Sequence, residues 1–218
     1  MKITYHGHSC VQIDNLIIDP WLTENPVANI TLDEVVVDYI LVTHGHNDHI
    51  GDTLELAKKY DALVISTVEI ADYFENEGVR TFGLQPGGQY AFEFGSVKMT
   101  PAIHGSSYTT ADGTVIHLGI AAGFLITKED KLIYHAGDTA LFSDMALFNG
   151  VDLAFIPIGD VYTMGINDAI EAVRLIDPKV VVPIHYNTFD LIRQDPTVFA
   201  SKVENARVEI LMPGDIFN

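Results

Sequence analysis

Between Tyr39 and Asp52 the chain runs Tyr39-Ile40-Leu41-Val42-Thr43-His44-Gly45-His46-Asn47-Asp48-His49-Ile50-Gly51-Asp52. Five apolar or β-branched residues lead in, the pattern of a short buried strand. Three histidines and an aspartate then fall within six residues. A helix-like pattern follows from Asp52. The strand therefore ends in a turn that presents His44, His46, Asp48 and His49. Imidazole with carboxylate is the ligand set of zinc, manganese or iron. Histidines at i and i+2 can face one ion, and an adjacent Asp–His pair can face a second.

Other candidate donors also stand at strand ends. His104, Asp138 and His185 each follow an apolar run. A lone histidine there is commonly structural, and these three stand as candidate donors beside the four of the motif.

Composition narrows the partners. A net charge of −18 argues against nucleic-acid binding, which needs a basic surface. No apolar run is long enough for a membrane span, and the chain begins directly with the strand-like Lys2-Ile3-Thr4-Tyr5. A cytoplasmic protein with no membrane partner is expected. The single cysteine, Cys10, allows no intrachain disulfide and reads as a small buried residue. At 218 residues the chain suits one domain, 1–218, with no visible linker.

Residues 1–20 read as a hairpin that turns at Asp14-Asn15, and 21–35 as loop. Residues 36–44 read as the strand into the histidine motif. Asp52-Thr53-Leu54-Glu55 and Ser66-Thr67-Val68-Glu69 read as capping boxes opening two helices, the second closed by Gly78. Gln89–Phe94 and Val97–Thr100 read as strands around Gly95-Ser96. His117–Ile126 and Lys131–Tyr134 read as a hairpin across Lys128–Asp130. Asp195-Pro196 opens the last helix.

The second half repeats the first. Val37–Val42 lies on Val151–Ile156, Asp52–Asp61 on Asp168–Asp177, and Leu63–Ile65 on Val180–Val182, at an offset of about 115 residues. Two such halves predict two mixed β-sheets with helices on both outer faces, an αββα sandwich of the α/β class. A single Rossmann-type sheet fits less well, because the first turn is not glycine-rich.

The run His44-x-His46-x-Asp48-His49 resembles the signature of the metallo-β-lactamase fold superfamily. Tyr5-His6-Gly7-His8-Ser9, Ile18-Asp19-Pro20-Trp21 and Tyr162-Thr163-Met164-Gly165 are similar to those of small metal-dependent hydrolases related to the ascorbate-phosphate lactonases. The resemblance covers essentially the whole chain. It implies a dinuclear site, with His44, His46 and His104 on one divalent ion, Asp48, His49 and His185 on the other, and Asp138 bridging. Imidazole-rich ligands suit Zn2+, with Mn2+, Ni2+ or Fe2+ as alternatives. The superfamily's oxygen-reducing di-iron members carry a glutamate where His46 stands, which argues against that chemistry.

A metal lowers the pKa of bound water from about 16 to about 7. A metal-bridging hydroxide is therefore the expected nucleophile, with Asp48 as the catalytic residue that orients it and moves its proton. Asp19 is expected to buttress one of His44, His46 or His49. In the related hydrolases the His8 turn lies at the active-site mouth, so His8 is expected to hold a loop or touch substrate. His6 is not expected to bind metal. Thr163, Tyr186 and Asn187 stand in stretches expected to line the pocket. Arg193 is the only basic residue soon after a ligand, so no phosphate clamp is evident.

The expected activity is hydrolysis of a small-molecule ester, lactone or phosphodiester. The alternatives are a mono-iron dioxygenase acting on a thiol or persulfide, and a non-catalytic metal-binding module. Related lactonases form oligomers, and a homo-oligomer is compatible with the sequence.

Overall fold

The computed structural model describes residues 1–217. In chain order it begins with β1 (Ile3–Gly7), β2 (Cys10–Ile13), β3 (Leu16–Ile18), β4 (Tyr39–Leu41), α1 (Asn47–Ile50) and α2 (Thr53–Tyr60). Next come β5 (Leu63–Thr67), α3 (Val68–Asn76), β6 (Thr81–Leu84), β7 (Gln89–Phe92), β8 (Gly95–Pro101), β9 (Ser107–Thr109) and β10 (Val115–His117). The remaining strands and α-helices are β11 (Ala122–Lys128), β12 (Lys131–His135), β13 (Leu153–Pro157), α4 (Ile166–Ile176), β14 (Val180–Ile184), α5 (Pro196–Lys202), β15 (Arg207–Val208) and β16 (Ile216–Phe217), with short 3-10 turns at Ser143–Phe148 and Asp190–Ile192. Among the described residues the strands form two mixed seven-stranded sheets and one two-stranded ribbon, β9–β10. Two separate sheets exclude the single Rossmann-type sheet.

The chain divides into two compact units. The first takes residues 1–85, 105–121 and the C-terminal segment from Met212; the second takes 86–104 and 122–211. The first sheet runs β16-β1-β2-β3-β4-β5-β6 and the second β15-β14-β13-β12-β11-β8-β7. In the first unit Ile17, Ile40, Val42 and Val64 bury against Leu56 of α2 and Ile70 and Phe74 of α3. In the second, Ala154, Ile156 and Val181 bury against Ala169, Val173 and Ile176 of α4.

The repeat has a structural counterpart. β4 pairs in parallel with β5 after one crossover, and β13 pairs in parallel with β14 after another. The crossover helices end alike. Asp61 and Asp177 are both left-handed, with φ of 53° and 46°. Their N–H groups donate to the carbonyls of Ala57 and Val173, which closes the last turn.

Several local expectations need correction. The strand into the histidine motif is only Tyr39–Leu41. It ends there because the N–H of Thr43 donates to the Asp19 carboxylate instead of to a strand. Neither capping box forms. The Asp52 carboxylate accepts from the N–H groups of Leu22 (2.7 Å) and Thr23 (2.9 Å), and the Ser66 hydroxyl donates to the carbonyl of Val42. The β7–β8 turn is Glu93-Phe94, since Phe92 pairs with Gly95. Gly95 is needed within the strand: a Cβ there would lie 2.1 Å from the carbonyl oxygen of Thr127. His117 belongs to the β9–β10 ribbon rather than to β11.

Other expectations hold. The β2–β3 turn is Asp14-Asn15, Gly78 follows α3 at φ 84°, and Asp195 caps α5 through the N–H of Thr197. Cys10 is fully buried and free, and burial raises its thiol pKa well above the usual value.

Candidate metal centre

In the first unit the donors are organised by one carboxylate. Asp19 ends β3 in a left-handed conformation, φ 47°, and is fully buried. Its Oδ1 accepts the N–H of Thr43 at 2.8 Å, and its Oδ2 accepts the Thr43 hydroxyl at 2.7 Å and His49 Nδ1 at 2.8 Å. The Thr43 proton points to Asp19, so its oxygen accepts from His44 Nδ1 at 3.0 Å. One carboxylate thus fixes the tautomer of His49 directly and that of His44 through a hydroxyl. Both imidazoles carry their proton on Nδ1 and their lone pair on Nε2, the arrangement that readies histidines to ligate a metal.

His44 Nε2 lies 2.9 Å from His46 Nδ1. Two nitrogens on one tetrahedral zinc with bonds of 2.0–2.1 Å stand about 3.3 Å apart. The pair is thus within a few tenths of an ångström of chelating spacing. The loop between them is held by Gly45, whose N–H donates to Ser106 Oγ at 3.0 Å, while that hydroxyl donates to the carbonyl of Leu118. Asn47 makes a two-way amide pair with the backbone of Thr109. His49 and Ile50 donate back to the carbonyl of His46. Asp48 and His49 therefore sit on a helical turn that begins five residues before the expected helix.

His8 is almost fully buried and left-handed, φ 57°. Its carbonyl accepts the Tyr5 hydroxyl, and its ring stands edge-on to Trp21 at 5.0 Å. Its Nε2 lies 3.1 Å from Asp48 Oδ2, so His8 holds a candidate ligand. His6 is placed elsewhere, with its ring nitrogens on Asn29 and Gln12. Burial lowers its pKa below the ordinary value.

In the second unit His104, Asp138 and His185 follow β8, β12 and β14. His185 Nε2 lies 3.0 Å from Asp138 Oδ2, and His104 Nε2 lies 3.6 Å from the same oxygen. Asp138 and His185 are buried, and His104 is only slightly exposed. Gly159 makes this approach feasible, since a Cβ there would meet the His185 carbonyl oxygen at 2.3 Å. Charge on Asp138 and lone pairs on two imidazoles are the donor chemistry a divalent cation requires.

The remaining candidates are partly committed elsewhere. The Thr163 hydroxyl donates to the carbonyl of Met164, and Asn187 Oδ1 accepts the N–H of Gln194. Tyr186 is partly buried against the second core, and burial raises its phenol pKa. Arg193 pairs with Asp190 at the surface. Two residues beside the site, Thr43 and Trp21, carry no ligand motif of their own; the local signal of Thr43 is a hydroxyl directly before the first histidine.

A model of the β-lactamase superfamily domain matches residues 14–186. The chain belongs to the β-lactamase superfamily. A UPF0173 metal-dependent hydrolase of Anoxybacillus flavithermus is 53% identical over 94% of this chain and 94% of its own. Another from Enterococcus faecalis is 48% identical over 99% and 98%. Among solved structures, Igni18, a metallo hydrolase from the archaeon Ignicoccus hospitalis, is 38% identical with a TM-score of 0.88, covering 100% of this chain and 98% of that one. This superfamily member thus falls among metal-dependent hydrolases, and its α/β class, with two mixed sheets and helices, is the one the sequence implied. No helix among the described residues is long and apolar enough to cross a membrane.

Proposed function

We propose that the protein hydrolyses a small ester, lactone or phosphodiester with two divalent metal ions, Zn2+ foremost. His44, His46 and His104 would hold one ion, Asp48, His49 and His185 the other, and Asp138 both. When bound, such ions acidify water to form a nucleophile at neutral pH and polarise the bond under attack. Asp48 orients the attacking water and takes its proton, and His8 fixes the Asp48 carboxylate. Asp138 offsets cationic charge. Water adds across the acyl or phosphoryl ester bond, leaving an acid and an alcohol.

The observation that carries this reading is the Asp19 carboxylate, which sets the tautomers of His44 and His49 together. A merely structural histidine cluster has no need of two imidazoles held with Nε2 ready to ligate. The test is metal content by mass spectrometry beside turnover of ester, lactone and phosphodiester panels after reconstitution. About two zinc or manganese ions per chain are expected, with turnover lost in Asp138→Ala. One iron per chain without hydrolysis would overturn the reading.

A further inference from the structure

The geometry points to an apolar specificity lip, formed by Val161, Tyr162, Phe189 and Leu191, that selects esters or lactones bearing an uncharged alkyl or aryl group. This inference rests on the hydrolase reading and narrows its substrate class. The four side chains are 61%, 48%, 37% and 61% exposed. They stand on two loops of the second unit, residues 159–165 and 186–192, and the rings of Tyr162 and Phe189 pack with centroids 6.4 Å apart, within the range of favourable aromatic pairs.

Both loops are tied to the proposed ligands. Gly159 lies against His185, and the N–H of Met164 donates to the carbonyl of Thr139, next to Asp138. The second loop follows His185 directly and is closed by the N–H of Asn187 donating to Ile192. The lip is therefore held beside the Asp138–His185 pair.

The chemistry of the loop surfaces is mainly apolar. The N–H groups of Tyr162 and Thr163 donate to the Asp160 carbonyl, and that of Val161 to the Asp160 carboxylate. The charged residues on these loops are Asp160 and Asp190, with Arg193 at the end of the second. The Arg193 guanidinium lies 2.8 Å from Asp190. No free cation is left there to receive a phosphate or carboxylate tail. Val161, meanwhile, adopts φ 45°, a conformation β-branched residues seldom take. The loop thus holds an apolar side chain out at its tip in a strained backbone. Such sites are where backbone strain serves function.

The experiment compares zinc-loaded wild type with Tyr162→Ala and Phe189→Ala, both exposed sites, after confirming equal metal content. Calorimetry measures acetate and octanoate binding, and kcat/KM is measured for p-nitrophenyl acetate and octanoate. Wild type should prefer the eight-carbon ligand and ester by about tenfold or more, the scale at which a few methylenes discriminate. Each variant should lose most of that preference in both measurements. Lip-dependent octanoate binding without turnover of any ester, lactone or phosphodiester in the panels would support the lip while overturning the hydrolase reading. Ester turnover with an unchanged chain-length ratio in both variants would overturn the lip and leave the hydrolase reading intact.

Discussion

Asp19 is the residue on which the first donor set turns. Its two oxygens take protons from Thr43 and His49, and through Thr43 it reaches His44. Removing an outer-shell carboxylate of this kind commonly weakens metal affinity by about 10–100-fold. Asp19→Ala should therefore raise the zinc dissociation constant by about that factor, read by competition with a chromogenic chelator. Thr43→Val should have a smaller effect, because it disturbs His44 and leaves the His49 bond in place. Circular dichroism separates this from unfolding. Unchanged zinc affinity in a folded Asp19→Ala protein would show that the imidazoles orient themselves.

At the scale of elements, α4 shows how the repeat is stabilised. Ile176 is fully buried in the second core, one residue before the left-handed Asp177 cap. Ile176→Ala should lower unfolding free energy by about 2–5 kcal/mol, measured by urea denaturation, and a loss under 1 kcal/mol would mean that α4 can shift to fill the space. This helix was legible in the sequence because its apolar spacing matched that of α2. The strand ends that carry the candidate donors were legible because apolar runs stopped just before His44, His104, Asp138 and His185. The caps were misread for a physical reason. Asp52 stands at the N-cap of α2 and Ser66 one residue before the Thr67 N-cap of α3, yet the partners of both side chains lie 30 and 24 residues away in sequence, and such tertiary bonds leave no local trace. The end of β4 was hidden likewise, since Asp19 takes the N–H of Thr43. The β9–β10 ribbon was missed because its three-residue strands carry almost no periodicity.

For the whole molecule, acid and a bound metal would compete for the same candidate histidines. The chain has nine histidines and a net charge of −18 at neutral pH. Lowering the pH adds positive charge and relieves self-repulsion, which favours the folded state. Proton linkage opposes it. A histidine that is neutral when folded and protonated when unfolded gives stability that is present above its unfolded pKa, about 6.5, and declines as pH falls through that value. His6 belongs to this class, because burial lowers its folded pKa. Histidines that ligate metal join it, because metal binding requires the neutral ring. With free zinc at one hundred times its dissociation constant, the loaded protein should exceed the chelated one by about 2.7 kcal/mol near pH 7.5. That gap should shrink steadily toward pH 5.5 as protons displace the ion. The chelated protein should keep only a shallower slope to which His6 contributes, and His6→Gln should reduce it. Thermal melts at several pH values, with and without chelator, measure both terms. If chelation left the melting temperature unchanged at pH 7.5, these histidines would not hold metal in the folded chain, and the proposed hydrolase would lose its cofactor.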